Sequence, residues 1–587
     1  MTDLATRTWK RLLHEPPPLS VDPEQRLSEA RARRPIEMAR TRLLIAGAVF
    51  ALCFVVLAGR LLEIGILKEG NARSDGGARL TSDAAPGRVD IVDRNGVLLA
   101  TNLPTVSLYA DQETVLSAEG AADRLLTVLP RYSREDLVER ITGKARHALI
   151  ERNLTPDQAF QINQLGLPGF SFERTERRVY LQGPLFSHVL GYTDVDNHGL
   201  SGIEAGLDAT LRTTEPESGR PFTVSLDMRV QHALTEELNH SIEEFSAIGG
   251  AGVVIDANTG EVLALVSLPS FDPNGRRKSD DDVEFNRVTK GIYELGSTFK
   301  AFTVAMALDY GVVDMNDGYD ASHPIKIARY TIRDDHPQNR WLNVPEIFMH
   351  SSNIGAAKMA LDVGGERQRE FLERLGLLNA YQLELPEVGA PAVPKPWREI
   401  NTMTIAFGHG LSITPLHLAN GIATLVNGGV LRRPTFVKQP EGATISGDQV
   451  ISPATSEKMR RLLRLVVTEG TGQKAAAPGY LVGGKTGTAE KAAVGGYQRK
   501  SLISTFVGAF PMQNPRYVVL AMIDEPKGNR SSFGFATAGW TAAPVVGRVI
   551  SRIAPLLGIE PVDEDADPIH RELDIKEVSQ GARLASF

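Results

Sequence analysis

The sequence predicts an α+β protein with a single N-terminal transmembrane helix, an elongated module beyond it, and a larger domain in which helices flank a five-stranded antiparallel sheet. Three observations predict this. Leu43–Gly59 is a run of 17 residues without a charge. Two strand-like segments near residue 250 are answered by three more after residue 480. The stretch between the two groups reads as mainly helical.

The chain has 587 residues, too many for one ordinary domain, so two or three are expected. A hydrophobic content of 42% and a charged content of 23% are those of globular protein. A net charge of −7 leaves no basic footprint, which excludes nucleic acid as a partner. One cysteine, Cys53, excludes an intrachain disulfide and a cysteine metal cluster. The 12 histidines show no metal-ligand spacing, so no metal is expected.

Residues 1–42 are polar and read as a cytoplasmic tail. The uncharged run that follows spans roughly 26 Å as a helix, close to a bilayer core, and apolar residues extend the segment to 43–67. Such a helix lacks a polar face and is too long for a signal-peptide core, so a single membrane anchor is the reading taken. Arg31, Arg33, Arg34, Arg40 and Arg42 outnumber the positive charges on the far side. The positive-inside rule therefore places the bulk of the chain outside the cytoplasm.

The first extracytoplasmic module, 68–220, opens with a hairpin. Val89–Val92 and Val97–Ala100 are its strands, and Asn95-Gly96 lies in its turn. Thr155 caps a helix with Pro156 in its first turn. Residues 199–206 are turn-rich. The larger domain, 221–560, starts with a helix marked by Val230, Ala233, Leu234, Leu238 and Ile242. Its strands are 251–256, 261–267, 481–488, 504–510 and 517–524, the last two joined at Asn514-Pro515. Residues 561–587 are charged and weakly patterned, a loose tail.

Three motifs carry chemistry. Ser297-Thr298-Phe299-Lys300 sits at the start of a helical run. Lys300 falls one turn beyond Ser297, on the same face. A serine hydroxyl is a poor nucleophile until a base takes its proton, and a desolvated lysine can act as that base. Ser351-Ser352-Asn353 joins an amphipathic segment, 341–349, to a helix from Ile354, where such residues are ordinarily caps. Lys485-Thr486-Gly487-Thr488 opens a strand after Gly483-Gly484. Glycine weakens a strand unless another backbone must approach, and a peptide substrate along an edge would be such a backbone. In this order the three specify acyl transfer through a serine ester.

The set resembles the penicillin-binding proteins, specifically the monofunctional class B transpeptidases. GRVDIVDRNGVLLA (87–100), Arg177-Arg178-Val179-Tyr180 and GLSGIEAGLD (199–208) resemble the motifs of their pedestal module. VIDANTGEVLALVSLPSFDPN (254–274), FGHGLSITPLHLA (407–419) and TAAPVV (541–546) resemble landmarks of their transpeptidase domain. The resemblance implies that Ser297 attacks the D-Ala-D-Ala carbonyl of a peptidoglycan stem peptide, with Lys300 as base. It implies that Ser351 relays the proton to the leaving amine and that Lys485 supports the relay. Asn353, Thr486, Gly487 and Thr488 would hold substrate, and the N–H groups of Ser297 and Thr488 would form an oxyanion hole. β-Lactams would be covalent inhibitors, and the resemblance implies no cofactor. The implied partners are a membrane-embedded SEDS-type glycosyltransferase and other division proteins. Ser351-Ser352-Asn353 resembles the division type, whereas elongation-type enzymes often carry Ser-Cys-Asp. Leu295 and Leu181 stand where the family commonly has proline. An elongation-type enzyme and a non-catalytic scaffold of the division complex are the alternatives.

Overall fold

The computed structural model describes residues 51–52, 54–55, 88–143, 145–213, 220–275, 281–327, 330–493 and 496–575. The expected membrane anchor lies almost entirely outside them. Ala51, Leu52, Phe54 and Val55 are helical and exposed. Among the described residues no helix is long and apolar enough to cross a membrane.

From residue 88 the chain forms the expected hairpin. Strand β1 (Ile91–Val92) turns at Asp93–Gly96 into β2 (Leu98–Asp111), which runs well past the expected Ala100. Helices α1 (Ala118–Leu125) and α2 (Arg134–Ile141) precede β3 (His147–Leu154). Helix α3 (Pro156–Gln164) starts where the sequence places it, with Thr155 and Gln158 closing a reciprocal capping box. Strand β4 (Phe170–Tyr180) pairs along β2, which also pairs with β3. Residues 199–206, expected as turns, contain a short helix, α4 (Gly202–Gly206).

Strand β5 (Phe222–Thr223) lies beyond the expected boundary at 220, yet it pairs parallel with β1. Asp93 of the hairpin turn accepts from the N–H of Met228, which opens helix α5 (Met228–Glu244), and Asn95 bonds Asp227. The first module is thus tied into the second, and Ala84–Phe587 is one compact unit.

Strands β6 (Gly249–Asp256) and β7 (Val262–Leu268) follow. After a single 3₁₀ turn, Gly296–Phe299, comes α6 (Lys300–Asp309). A small hairpin, β8 (Ile325–Ile327) and β9 (Tyr330–Ile332), leads toward α7 (Val344–Met349) and α8 (Asn353–Val363). The amphipathic segment 341–349 is therefore not all helix, because Trp341–Asn343 is extended and Asn343 caps α7. Helices α9 (Glu399–Ile405), α10 (Pro415–Val426) and α11 (Pro453–Thr468) complete the helical side. Strands β10 (Gly483–Ala493), β11 (Gly496–Phe510) and β12 (Tyr517–Asp524) return to the sheet, and α12 (Ala542–Leu556) covers it.

The sheet has five strands, antiparallel throughout, as the sequence predicts, in the order β10-β11-β12-β6-β7. Side chains alternate across β6, so the sheet separates two cores. Val254 packs with α5 and α12, whereas Val253 and Ile255 pack with α6, α10 and α11. A Cβ at Gly252 would lie 2.8 Å from Leu238, so glycine lets α5 sit close. Residues 561–575 depart from the loose-tail expectation. Helix α13 (Asp567–Leu573) buries Leu573, and Ile569 packs on the main core. Its few apolar residues were too sparse to read as a period.

Candidate active site

Ser297 lies in the 3₁₀ turn before α6. Gly296 holds φ at +54°, and a Cβ there would meet the Thr488 carbonyl oxygen at 2.7 Å. A Cβ at Gly487 would lie 2.3 Å from the Leu295 carbonyl oxygen. The backbone that crowds Gly487 is therefore the chain's own, not only a substrate's. These glycines bring edge strand β10 against the turn that carries Ser297.

Lys300 opens α6 and is fully buried. Its Nζ lies 3.0 Å from both Ser297 Oγ and Ser351 Oγ, and donates to Asn353 Oδ1 at 2.7 Å. It also donates to the Ser351 carbonyl. Lys485, likewise buried, reaches the same hydroxyl from β10, with Nζ 3.1 Å from Ser351 Oγ. The Phe348 ring lies 5.9 Å from that amine. Ser297, Ser351, Asn353 and Thr488 are part-exposed, whereas both lysines are fully buried.

Two amines in a dry site resist protonation. Burial pushes Lys300 down to about 7, against the Asp335 and Asp334 carboxylates, which favour its charged form. Burial and then the Lys300 cation push Lys485 well below the ordinary lysine range. Near neutral pH an uncharged amine thus faces the Ser297 hydroxyl, the state needed to take its proton.

Ser351 links α7 to α8 with φ at +59°, a left-handed conformation rare outside glycine. Ser352 is the cap of α8, accepting from the Gly355 N–H at 3.0 Å. One residue of this motif is a cap while its neighbours on both sides face Lys300. On β10, Thr486 Oγ1 shares a hydrogen with Thr471 Oγ1 at 2.6 Å, and Thr488 Oγ1 accepts from the Ala538 N–H at 3.0 Å. The segment of Ala538 also carries Phe533 and Phe535, both exposed and both against Trp540.

The fold therefore gathers Ser297, Lys300, Ser351, Asn353 and Lys485 into one hydrogen-bonded cluster, with Thr486, Gly487 and Thr488 on the adjoining strand. Sequence reasoning missed Thr471, Phe348 and Asp334, none of which stands at a telling spacing. It also missed a second cluster. Arg88, Arg178 and Glu204, one from each of the three pedestal motifs, meet in the first module with side chains at most 1% exposed. Arg178 Nε lies 2.8 Å from Glu204, and Arg88 bonds both Glu204 and Asp208. Among the described residues no group of three or more His, Cys, Asp or Glu is placed to hold a metal ion.

The family described as penicillin binding protein transpeptidase domain matches residues 250–548, and the penicillin-binding protein dimerisation domain matches 83–218. The chain belongs to the penicillin-binding protein transpeptidase family. It is 41% identical over 538 residues to a probable peptidoglycan D,D-transpeptidase FtsI of Caulobacter vibrioides, covering 90% of each chain. It is 33% identical to a probable peptidoglycan D,D-transpeptidase PenA of Neisseria gonorrhoeae, covering 87% of this chain and 92% of that one. A crystal structure of a peptidoglycan synthetase from Bifidobacterium adolescentis shares the fold at a TM-score of 0.65 and 21% identity, over 84% of this chain and 98% of that one.

Proposed function

We propose that this protein is a peptidoglycan D,D-transpeptidase that cross-links stem peptides through an acyl ester on Ser297 during septal wall synthesis. The observation that carries the reading is the Lys300 amine, 3.0 Å from both Ser297 Oγ and Ser351 Oγ and held down to about 7 by burial.

Ser297 Oγ attacks the carbonyl carbon between the two terminal D-alanines as its proton passes to Lys300. The carbonyl becomes an oxyanion, which the Ser297 and Thr488 N–H groups would hold. Collapse breaks the C–N bond. Ser351 Oγ gives a proton to the departing D-alanine amine and regains one from a neighbouring lysine. An amine of a second stem peptide then attacks the ester, loses a proton to the same relay and frees Ser297. Thr486 and Thr488 suit the terminal carboxylate, and Asn353 suits a substrate amide. A β-lactam would enter the same first step and stay as a slow ester.

A labelled penicillin should form a long-lived adduct on Ser297 by mass spectrometry, and Ser297→Ala should abolish it with the melting temperature unchanged. Rapid release would instead indicate a β-lactamase, and no adduct on folded protein a scaffold. An inner-membrane anchor at 43–67 and a cytoplasmic N-terminus, supported by the charge asymmetry around the apolar run, complete the proposal, together with a SEDS-type partner that the family resemblance implies. Depletion should give filamentous cells, and rounded cells would refute the septal role.

A further inference from the structure

Ser351 and Asn353 must hold their positions although Ser351 adopts φ +59°, which persists only where the surroundings over-determine it. From the α7 side, the Ile347 carbonyl accepts from the Ser352 N–H at 2.9 Å. From the other side comes a segment with no regular structure that follows β9. There the Arg333 carbonyl accepts from Asn353 Nδ2 at 2.9 Å. Asp334 Oδ2 accepts from Ser352 Oγ at 2.7 Å, and its Oδ1 accepts from the Ile354 N–H at 2.9 Å. Two residues thus grip three consecutive ones. An ordinary helix cap does not require this, since Ser352 already caps α8.

We propose that Asp334 is a positioning residue for acyl transfer, clamping the turn that presents Ser351 and Asn353 to Lys300 while turning a negative charge toward that amine. This rests on the acyl-transfer reading above. The charged groups facing Lys300 are Lys485 from β10 and Asp334 and Asp335 from this segment. From the α7–α8 junction Lys300 meets neutral oxygens of Ser351 and Asn353. The two carboxylates work against burial, raising the Lys300 proton affinity that burial lowers. Asp335 is exposed and makes no hydrogen bond to residues 351–354, so charge and clamping can be separated.

The test is the rate of acylation by a labelled penicillin, measured from pH 5 to 9 on the full-length protein in detergent, with melting temperatures alongside. Asp334→Asn should move the acid limb of the profile to lower pH by about half a unit and lower the plateau about tenfold. Asp335→Asn should move the limb without lowering the plateau. Ser352→Ala, which removes the clamped hydroxyl and keeps the charge, should lower the plateau without moving the limb. The last two decide the matter even if Asp334→Asn does not fold. Limbs and plateaus that superimpose on the wild type, with only melting temperatures reduced, would overturn the proposal and leave Asp334 a structural cap. A wild-type protein that forms no adduct would sink the acyl-transfer reading, and this inference with it.

Discussion

In the first module Arg88 and Arg178 close on one carboxylate, Glu204. In the second, Lys300 and Lys485 close on one hydroxyl, that of Ser351. Both clusters bury two basic side chains. In the first, opposite charges meet directly, and Asp208 adds a further one. In the second the acceptors are neutral oxygens, and the carboxylates stand back at 334 and 335. A buried cation beside a carboxylate keeps its charge, whereas one beside neutral oxygens is driven to lose it. The same fold thus uses burial once to lock three motifs together and once to lower the proton affinity of an amine, which the proposed mechanism uses as its base.

Breaking the two clusters should therefore have opposite consequences. Lys485→Met should cut acylation of Ser297 by about 10²-fold or more while leaving stability at neutral pH equal or higher, since the folded protein no longer holds an amine that resists protonation. A loss of both activity and stability would place Lys485 in the structural class. Glu204→Ala leaves Arg88 and Arg178 buried without their carboxylate. It should cost about 3–5 kcal/mol in denaturant unfolding, with the acylation rate per folded molecule unchanged. A smaller cost would mean that water or Asp208 replaces the lost carboxylate. Leu573→Ala, in neither cluster, should cost about 2–3 kcal/mol through the cavity under α13 and spare the chemistry.

Much of this was legible beforehand, for reasons that particular residues show. Five strand-like segments, the last two joined at Asn514-Pro515, were enough to predict an antiparallel sheet of two early and three late strands. Ser297 and Lys300 lie one helical turn apart, so their contact is local and readable. Ser351 and Lys485 are 134 residues apart and meet only because β10 is drawn against the Ser297 turn by Gly296 and Gly487. Their placement needed the resemblance. Asp334 was not readable at all, because its contacts run from an unpatterned segment to backbone and a cap hydroxyl. The Arg88–Arg178–Glu204 cluster was hidden differently. All three motifs were visible, yet nothing in their spacing said that they converge. The pairing of β5 with β1 across residue 220 was not readable, because β5 is two residues long, too short to show a period.

Stability and activity should also respond to pH together. The Lys300 pKa is lower folded than unfolded, so the unfolded chain binds more protons between about 7 and the ordinary lysine value. Stability gained from this group rises with pH through that window, and Lys300→Met should flatten the rise.

The most direct test of the central claim is the pH dependence of wild-type Ser297 acylation by penicillin, followed by mass spectrometry on folded protein. A dry, neutral Lys300 predicts a rate that climbs about tenfold per pH unit and levels off with a midpoint near 7. A rate that is flat from pH 5 to 9, or one whose midpoint lies near the ordinary lysine value, would contradict it.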